Sequence, residues 1–209
     1  MADEGGTDYG FVTREYVLPF VPDGVQAALD VGCGNGGFCS VLKAASVPLV
    51  WGIEPNPRAA NDAAAWADRV VCGRFPDDVP SEAPKFDLVS FTDVLEHFED
   101  PWAVLRSTRD LLAPGGTVVA SIPNIRYWSV LNDLLLHRNF TYREKGVLDR
   151  THLRFFTKKT MIDLFEESGY RVQQCEPGNF SKAKRARAMS LLLGRDVLVK
   201  QYVTVAVVS

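Results

Sequence analysis

No Cys-x-x-Cys pair occurs among the four cysteines, Cys33, Cys39, Cys72 and Cys175. That excludes a zinc ribbon or a thioredoxin-type redox centre and leaves reduced thiols as the expected state. No run of about 18 apolar residues is present, so no membrane span is expected. The first ten residues, MADEGGTDYG, are acidic and polar where a secretory signal would be basic and then apolar, so a cytoplasmic location is expected. No internal repeat is visible. Basic excess is also missing: 23 Lys and Arg stand against 26 Asp and Glu, and no nucleic-acid partner is expected. Histidine is scarce, with only His97, His137 and His152 available for imidazole chemistry.

What is present is organised around residues 28–40, ALDVGCGNGGFCS. An apolar run enters a glycine-rich turn, and a helix is expected to follow. Gly32, Gly34, Gly36 and Gly37 let the backbone take positive φ and admit a close ligand. A helix opening there presents free N–H groups and partial positive charge. Gly32-x-Gly34-x-x-Gly37 also satisfies the dinucleotide fingerprint. Asp30, two positions before Gly32, argues against a dinucleotide. Its carboxylate would repel a pyrophosphate and attract a cationic, phosphate-free ligand.

The rest of the pattern alternates strand and helix. A short helix is expected over residues 11–21, then strands over 25–31, 48–53, 69–72, 86–91 and 117–122. Helices are expected over 38–45, 56–67, 101–112, 125–137 and 158–168, the last capped by Thr157. Strands over 170–175 and 197–208 close the chain. Glu54 follows Gly34 by 20 residues, which in a right-handed βαβ unit sets its carboxylate at ribose distance from the glycine turn.

Asp30-x-Gly32-x-Gly34-x-Gly36 resembles motif I of class I S-adenosylmethionine-dependent methyltransferases. Asp93-Val94-Leu95-Glu96-His97-x-x-Asp100-Pro101 resembles the D-V-L-E-H-x-x-D-P motif of the small-molecule members, and Leu112-x-Pro114-Gly115-Gly116 is another of their features. The segment from Asp149 to Thr157, DRTHLRFFT, is similar to one in methyltransferases of sugar, polysaccharide and quinone pathways, including the ubiquinone-biosynthesis O-methyltransferase group. The resemblance covers nearly the whole chain. It implies an α/β, Rossmann-like, doubly wound seven-stranded sheet, mostly parallel with an antiparallel last strand and helices on both faces. Residues 1–209 then form one domain, with an N-terminal helix or lid over 1–24 and an insertion over 123–156 that shapes the acceptor pocket.

The cofactor implied is S-adenosyl-L-methionine, with S-adenosylhomocysteine as product. The residues expected to bind it are Asp30, Gly32, Cys33, Gly34, Gly36, Glu54, Pro55, Arg74, Phe75, Thr92, Asp93 and Val94. Arg74 stands where the family usually has an acid for the adenine amino group, with Asp77 or Asp78 as substitutes. Asp30 and the turn from Asp93 to His97 are expected to face each other across the cofactor.

Methyl transfer from a sulfonium is an in-line displacement, so the protein mainly positions the acceptor and removes its proton. His152 and His97 are the candidate bases; His137 is expected to cap a helix end. Asn124, Tyr127, Trp128, Arg150 and Arg154 are candidate acceptor contacts. The 13 Lys and Arg against 7 Asp and Glu within residues 124–190 fit an anionic acceptor. The run Lys182, Lys184, Arg185, Arg187 reads as a solvated loop, with the alternative that, together with Arg126, Arg143, Arg150 and Arg154, it contacts a phosphorylated or carboxylated acceptor such as a nucleotide-linked sugar. Asp93, Glu96, His97 and His152 resemble an E-x-x-E-H metal motif, though metal-free use of the turn is preferred. The expected reaction is O-methylation of a small molecule or sugar or polysaccharide precursor. N-methylation, a nicotinamide-dependent oxidoreductase and a non-catalytic cofactor-binding protein are the alternatives. A homodimer is compatible with the sequence.

Overall fold

A computed structural model describes residues 11–209. The part of the expected N-terminal helix or lid at residues 1–10 lies outside them. Seven strands form one sheet: β1 (Ala27–Val31), β2 (Leu49–Glu54), β3 (Arg69–Cys72), β4 (Phe86–Thr92), β5 (Leu112–Pro123), β6 (Tyr170–Phe180) and β7 (Val199–Val208). Their order is β3-β2-β1-β4-β5-β7-β6. β1 pairs in parallel with β2 and β4, and β2 with β3. β6 and β7 are antiparallel. This is the doubly wound sheet expected from the alternating pattern.

The described residues group into two compact units, 11–92 with 107–117, and 93–106 with 118–209. In the first, β1 is buried along Ala28, Leu29, Asp30 and Val31, as a central parallel strand must be. Helix α1 (Gly37–Ala44) buries Phe38, Cys39, Val41 and Leu42, a stripe at helical spacing. Helix α2 (Pro57–Ala63) starts at Asn56, whose side chain accepts from the Arg58 and Ala59 amides, with Pro57 at its first position. It stops earlier than expected. Residues 15–20 form a 3₁₀ helix containing Pro19 rather than a longer helix over 11–21. Proline removes the donor that an α-helical turn would need there.

In the second unit, helix α3 (Pro101–Thr108) begins; its Trp102 indole donates to Glu167 at 2.9 Å. Helix α4 (Trp128–Leu136) lies in the insertion. Helix α5 (Lys158–Glu167) carries the expected Thr157 cap, completed by Thr160 as a reciprocal capping box. It buries Met161, Leu164 and Phe165. β6 is interrupted by register shifts at Val172/Gln174, Pro177/Asn179 and Asn179/Phe180. Helix α6 (Lys184–Leu193) corrects the expected loop. Its residues Leu191 and Leu192 are exposed and Ala186 is buried, so no amphipathic period advertises it. Among the described residues, no helix is long and apolar enough to cross a membrane.

Candidate functional site

In the first unit, β1 runs into a turn where Gly32, Gly34 and Gly36 have φ of 64°, 53° and 83°. A Cβ on Gly34 would meet nothing within 4 Å, so the turn is open there. A Cβ on Gly37 would strike the Val12 carbonyl oxygen at 2.1 Å, so residues near 12 press on the start of α1. Gly36 caps α1 without a side-chain bond, leaving amide donors at that end.

Glu54 organises this loop. Its Oε2 accepts from the Gly34 amide at 3.0 Å and its Oε1 from the Asn56 amide at 2.9 Å. Each carboxylate oxygen keeps a further acceptor site. The 20-residue spacing therefore brings Glu54 onto the glycine turn itself.

Asp30 is fully buried. Its Oδ1 accepts from Ser90 Oγ at 2.7 Å, and Oδ2 is 3.8 Å from the Cys39 thiol. Desolvation pushes its carboxyl up from 3.8 to about 6, against the opposing bond from Ser90. A covered carboxylate acts through its field rather than as an open contact. It still favours a cationic ligand over a pyrophosphate. Its neighbour thiol, Cys39, is raised by its bond with Cys33 and by burial.

The other expected cofactor residues are less alike. The Cys33 sulfur is buried against Gly52, where a Cβ would approach it to 2.6 Å, and lies 3.8 Å from the Gly34 carbonyl oxygen. Pro55 and Arg74 are exposed. Asp78, one proposed substitute for the adenine acid, instead accepts from the Arg74 amide at 2.7 Å. Phe75 is buried and packs edge-on against Phe91, centroids 5.7 Å apart. Thr92 is buried at the end of β4.

In the second unit, Asp93 has φ 60° and its amide donates to both Ser121 O and Oγ, each 3.1 Å away. Its Oδ1 accepts from Ser121 Oγ and from the Gln201 amide. Val94 is half-buried. Residues Leu95–His97 form a 3₁₀ turn. The Glu96 carbonyl accepts from the Leu153 amide at 2.8 Å and the Arg154 amide at 3.1 Å. That pairing brings together the segments of His97 and His152, which are 55 positions apart.

His97 and His152 meet edge-on with centroids 4.8 Å apart. His97 Nδ1 lies 3.1 Å from Thr151 O, and His152 Nδ1 lies 3.0 Å from Val147 O. A carbonyl only accepts, so both Nδ1 atoms carry hydrogen and both neutral rings hold their lone pair on Nε2. His152 Nε2 is 3.9 Å from Glu96 Oε1, and both side chains are buried. Partial desolvation, then repulsion from a charged His152, lowers the pKa of His97, although the residue reaches the surface. Glu96, His97 and His152 each offer one atom within 4.8 Å of the others, a set that could hold a divalent cation. Asp93 is not in it, which corrects the expected four-residue set.

Of the expected acceptor contacts, Asn124 is fully buried and consumed by the fold. It donates to Asp196 O and Val199 O at 2.9 Å each and accepts from the Arg126 amide at 3.0 Å. Arg150 pairs with Glu144 at 2.6 Å, and Arg154 Nε donates to Glu99 O at 3.0 Å. Tyr127 and Trp128 are half-buried; the Trp128 indole N–H is covered and has no hydrogen-bond partner among the described residues. His137 caps α4 as expected, 3.5 Å from Asp133. Sequence reasoning missed an aromatic group beside His152: Phe140, Tyr142 and Phe155 lie within 6.3 Å of one another, and Phe155 is 6.4 Å from His152. Phe140 and Tyr142 are both 43% exposed.

The model of a methyltransferase-domain family matches residues 14–175. A ubiquinone biosynthesis O-methyltransferase of Cereibacter sphaeroides is 35% identical over 162 residues, 75% of this chain and 64% of that protein. An uncharacterised protein of Mycobacterium tuberculosis is 30% identical over 158 residues, 74% of this chain and 50% of its own. The chain thus spans about half to two thirds of these curated relatives. A crystal structure of an S-adenosylmethionine-dependent methyltransferase from Archaeoglobus fulgidus superposes with a TM-score of 0.69 at 18% identity, over 92% of this chain and 91% of that one. The open glycine turn, the carboxylate bound to it and the covered Asp30 fit S-adenosylmethionine, the family's cofactor. With these matches, the chain belongs to the class I S-adenosylmethionine-dependent methyltransferases.

Proposed function

We propose that this chain transfers a methyl group from S-adenosylmethionine to a hydroxyl oxygen of a small molecule. When bound, the donor supplies an electrophilic methyl on a sulfonium, already joined to a good leaving group. Glu54 accepts from the ribose hydroxyls through its remaining lone pairs. The amides of the turn from Gly32 to Gly36, together with the exposed ends at Pro55 and Arg74, line the rest of the donor. Asp30 favours the donor's cationic end, and Phe75 and Thr92 shape its surroundings.

The observation that carries the oxygen acceptor is the histidine pair. His152 Nε2 holds its lone pair beside the Glu96 carboxyl group, 3.9 Å away. As the acceptor oxygen forms its bond to carbon, its proton passes to His152 Nε2, and Glu96 stabilises the imidazolium. His97, held below the usual histidine range, stays neutral beside it. An amine acceptor, already nucleophilic when neutral, has less need of such a base. The exposed faces of Phe140 and Tyr142 support an acceptor with a flat or apolar face. The ubiquinone-pathway name of a relative points the same way.

The test is calorimetry with S-adenosylhomocysteine and NADH, then methyl transfer to a panel of phenols and hexoses. We expect S-adenosylhomocysteine alone to bind, and His152→Asn to lower turnover on a hydroxyl acceptor by about 10² or more. Unchanged turnover in that variant would remove the base. A second reading rests on the Glu96, His97 and His152 spacing. Loss of turnover with a chelator, restored by Mg²⁺, would make the cluster a cation holder.

A further inference from the structure

Three of the arginines that the chain's charge pattern offered for an anionic acceptor are engaged elsewhere. Arg150 is paired with Glu144 and Arg154 with the Glu99 carbonyl. Arg126 is paired with Asp196 at 2.9 Å and donates to the Leu193 carbonyl, closing the end of α6. Two other cations are not. Lys145 and Lys200 line a cleft of about 90 Å³ with Tyr127, Ser129, Asp133 and Arg143. Among the described residues, neither lysine has an ion-pair partner. Asp133 and Arg143 form an ion pair with each other and cancel. The cleft therefore carries the charge of two unneutralised ammonium groups.

Three further features make it a site for an oxyanion. Its floor is apolar, from Val130, Val147 and Leu148, which strengthens attraction to a bound charge. Tyr127 and Ser129 bring hydroxyl groups to its lining, while the Val130 and Leu131 amides in the first turn of α4 are already bonded to the Tyr127 carbonyl. The space is several times what one water needs. The cleft is linked to the histidine pair through Val147, which lines it and whose carbonyl holds His152 Nδ1 at 3.0 Å.

We infer that this cleft seats an oxyanion, phosphoryl or carboxylate, carried by the acceptor, with Lys145 and Lys200 as its counterions. The assignment of that oxyanion to the acceptor rests on the reading of His152 as base; binding of the anion does not. The acceptor is then a small hydroxyl compound bearing a negative group, anchored beside the residue that takes its proton.

The test is calorimetry of the full chain with inorganic pyrophosphate and, separately, benzoate, at low salt, where charge attraction is least screened. Saturable binding of either probe is expected, weakened at least tenfold in the variant carrying both Lys145→Gln and Lys200→Gln. Lys182→Gln, an exposed lysine outside the cleft, should leave it unchanged. Whichever probe binds tells a phosphoryl from a carboxylate. Circular dichroism of the double variant establishes that it is folded; both lysines are exposed, so it should be. No binding of either probe, or equal binding by the folded double variant, overturns the inference. His152→Asn separates the two claims: it should lower transfer by about 10² or more while leaving probe binding intact. If probe binding fails while His152→Asn still lowers transfer to that degree, only the oxyanion site falls.

Discussion

The rings of His97 and His152 meet edge-on, 4.8 Å between centroids, with both Nδ1 hydrogens held by backbone carbonyls. A charge on His152 would repel a proton on His97 across this contact. Desolvation and this repulsion lower the pKa of His97 from 6.5. Proton NMR of the ring Cε1–H should show a His97 midpoint below 6.5, and His152→Asn should move it up. The native state then binds fewer protons at His97 than the unfolded chain does. Stability from this residue is present above 6.5 and is lost as pH falls through that value towards the lower native midpoint. A His97 midpoint above 6.5 would contradict the geometry.

Asp30 titrates in the opposite sense. Burial raises its carboxyl to about 6 in the cofactor-free chain. Between 3.8 and about 6 the folded state holds a proton that the unfolded state has released, so the cofactor-free protein loses stability as pH rises through that window. The displacement is worth about 3 kcal/mol at neutral pH. Asp30→Asn should raise the melting temperature without cofactor while weakening S-adenosylmethionine binding. In the native protein that affinity should fall about tenfold per pH step below 6. A variant that loses both stability and affinity would show that Asp30 serves packing alone.

Glu54 is expected to link loop geometry and binding. Glu54→Ala removes acceptors for the Gly34 and Asn56 amides, and S-adenosylhomocysteine affinity should drop by about 10- to 100-fold, or 1.4 to 2.7 kcal/mol. Glu54→Gln, which keeps one carbonyl acceptor, should fall between. Gly37→Ala is a backbone test of the same loop. Its Cβ would sit 2.1 Å from the Val12 carbonyl oxygen, so the 11–13 segment must shift, and protease sensitivity near residue 12 should rise.

Asn124 is expected to matter for stability. Its amide satisfies Asp196 O, Val199 O and the Arg126 N–H in a fully buried setting. Asn124→Ala should cost about 2 to 4 kcal/mol in urea unfolding, because buried polar groups are orphaned. Transfer kinetics of the folded fraction should keep an unchanged KM for the acceptor. A raised KM with unchanged stability would restore Asn124 as an acceptor contact.

The sheet and the donor loop were legible because local rules govern them. Apolar runs, glycines at fixed offsets and Glu54 one βαβ unit later are short-range signals, and each led to the observed element. The acceptor half was less legible because its neighbours are far apart in sequence. Gln201 reaches Asp93 across 108 positions, and Lys200 joins Lys145 in one cleft only through the fold. The sequence offers Arg150 and Arg154 as candidate acceptor contacts, but the local partners Glu144 and the Glu99 carbonyl occupy them. Helix α6 escaped because its leucines face solvent, which no amphipathic pattern encodes.

The broken register of β6 bears on how copies of the chain can meet. The outermost strands are β3, only four residues long, and β6, kinked by its shifts and carrying Pro177. Short or bulged borders deny another polypeptide an even row of amides to zip onto. Edge-to-edge strand pairing between copies is therefore disfavoured, and a concentrated solution should resist the ribbon-like aggregation that open sheets invite.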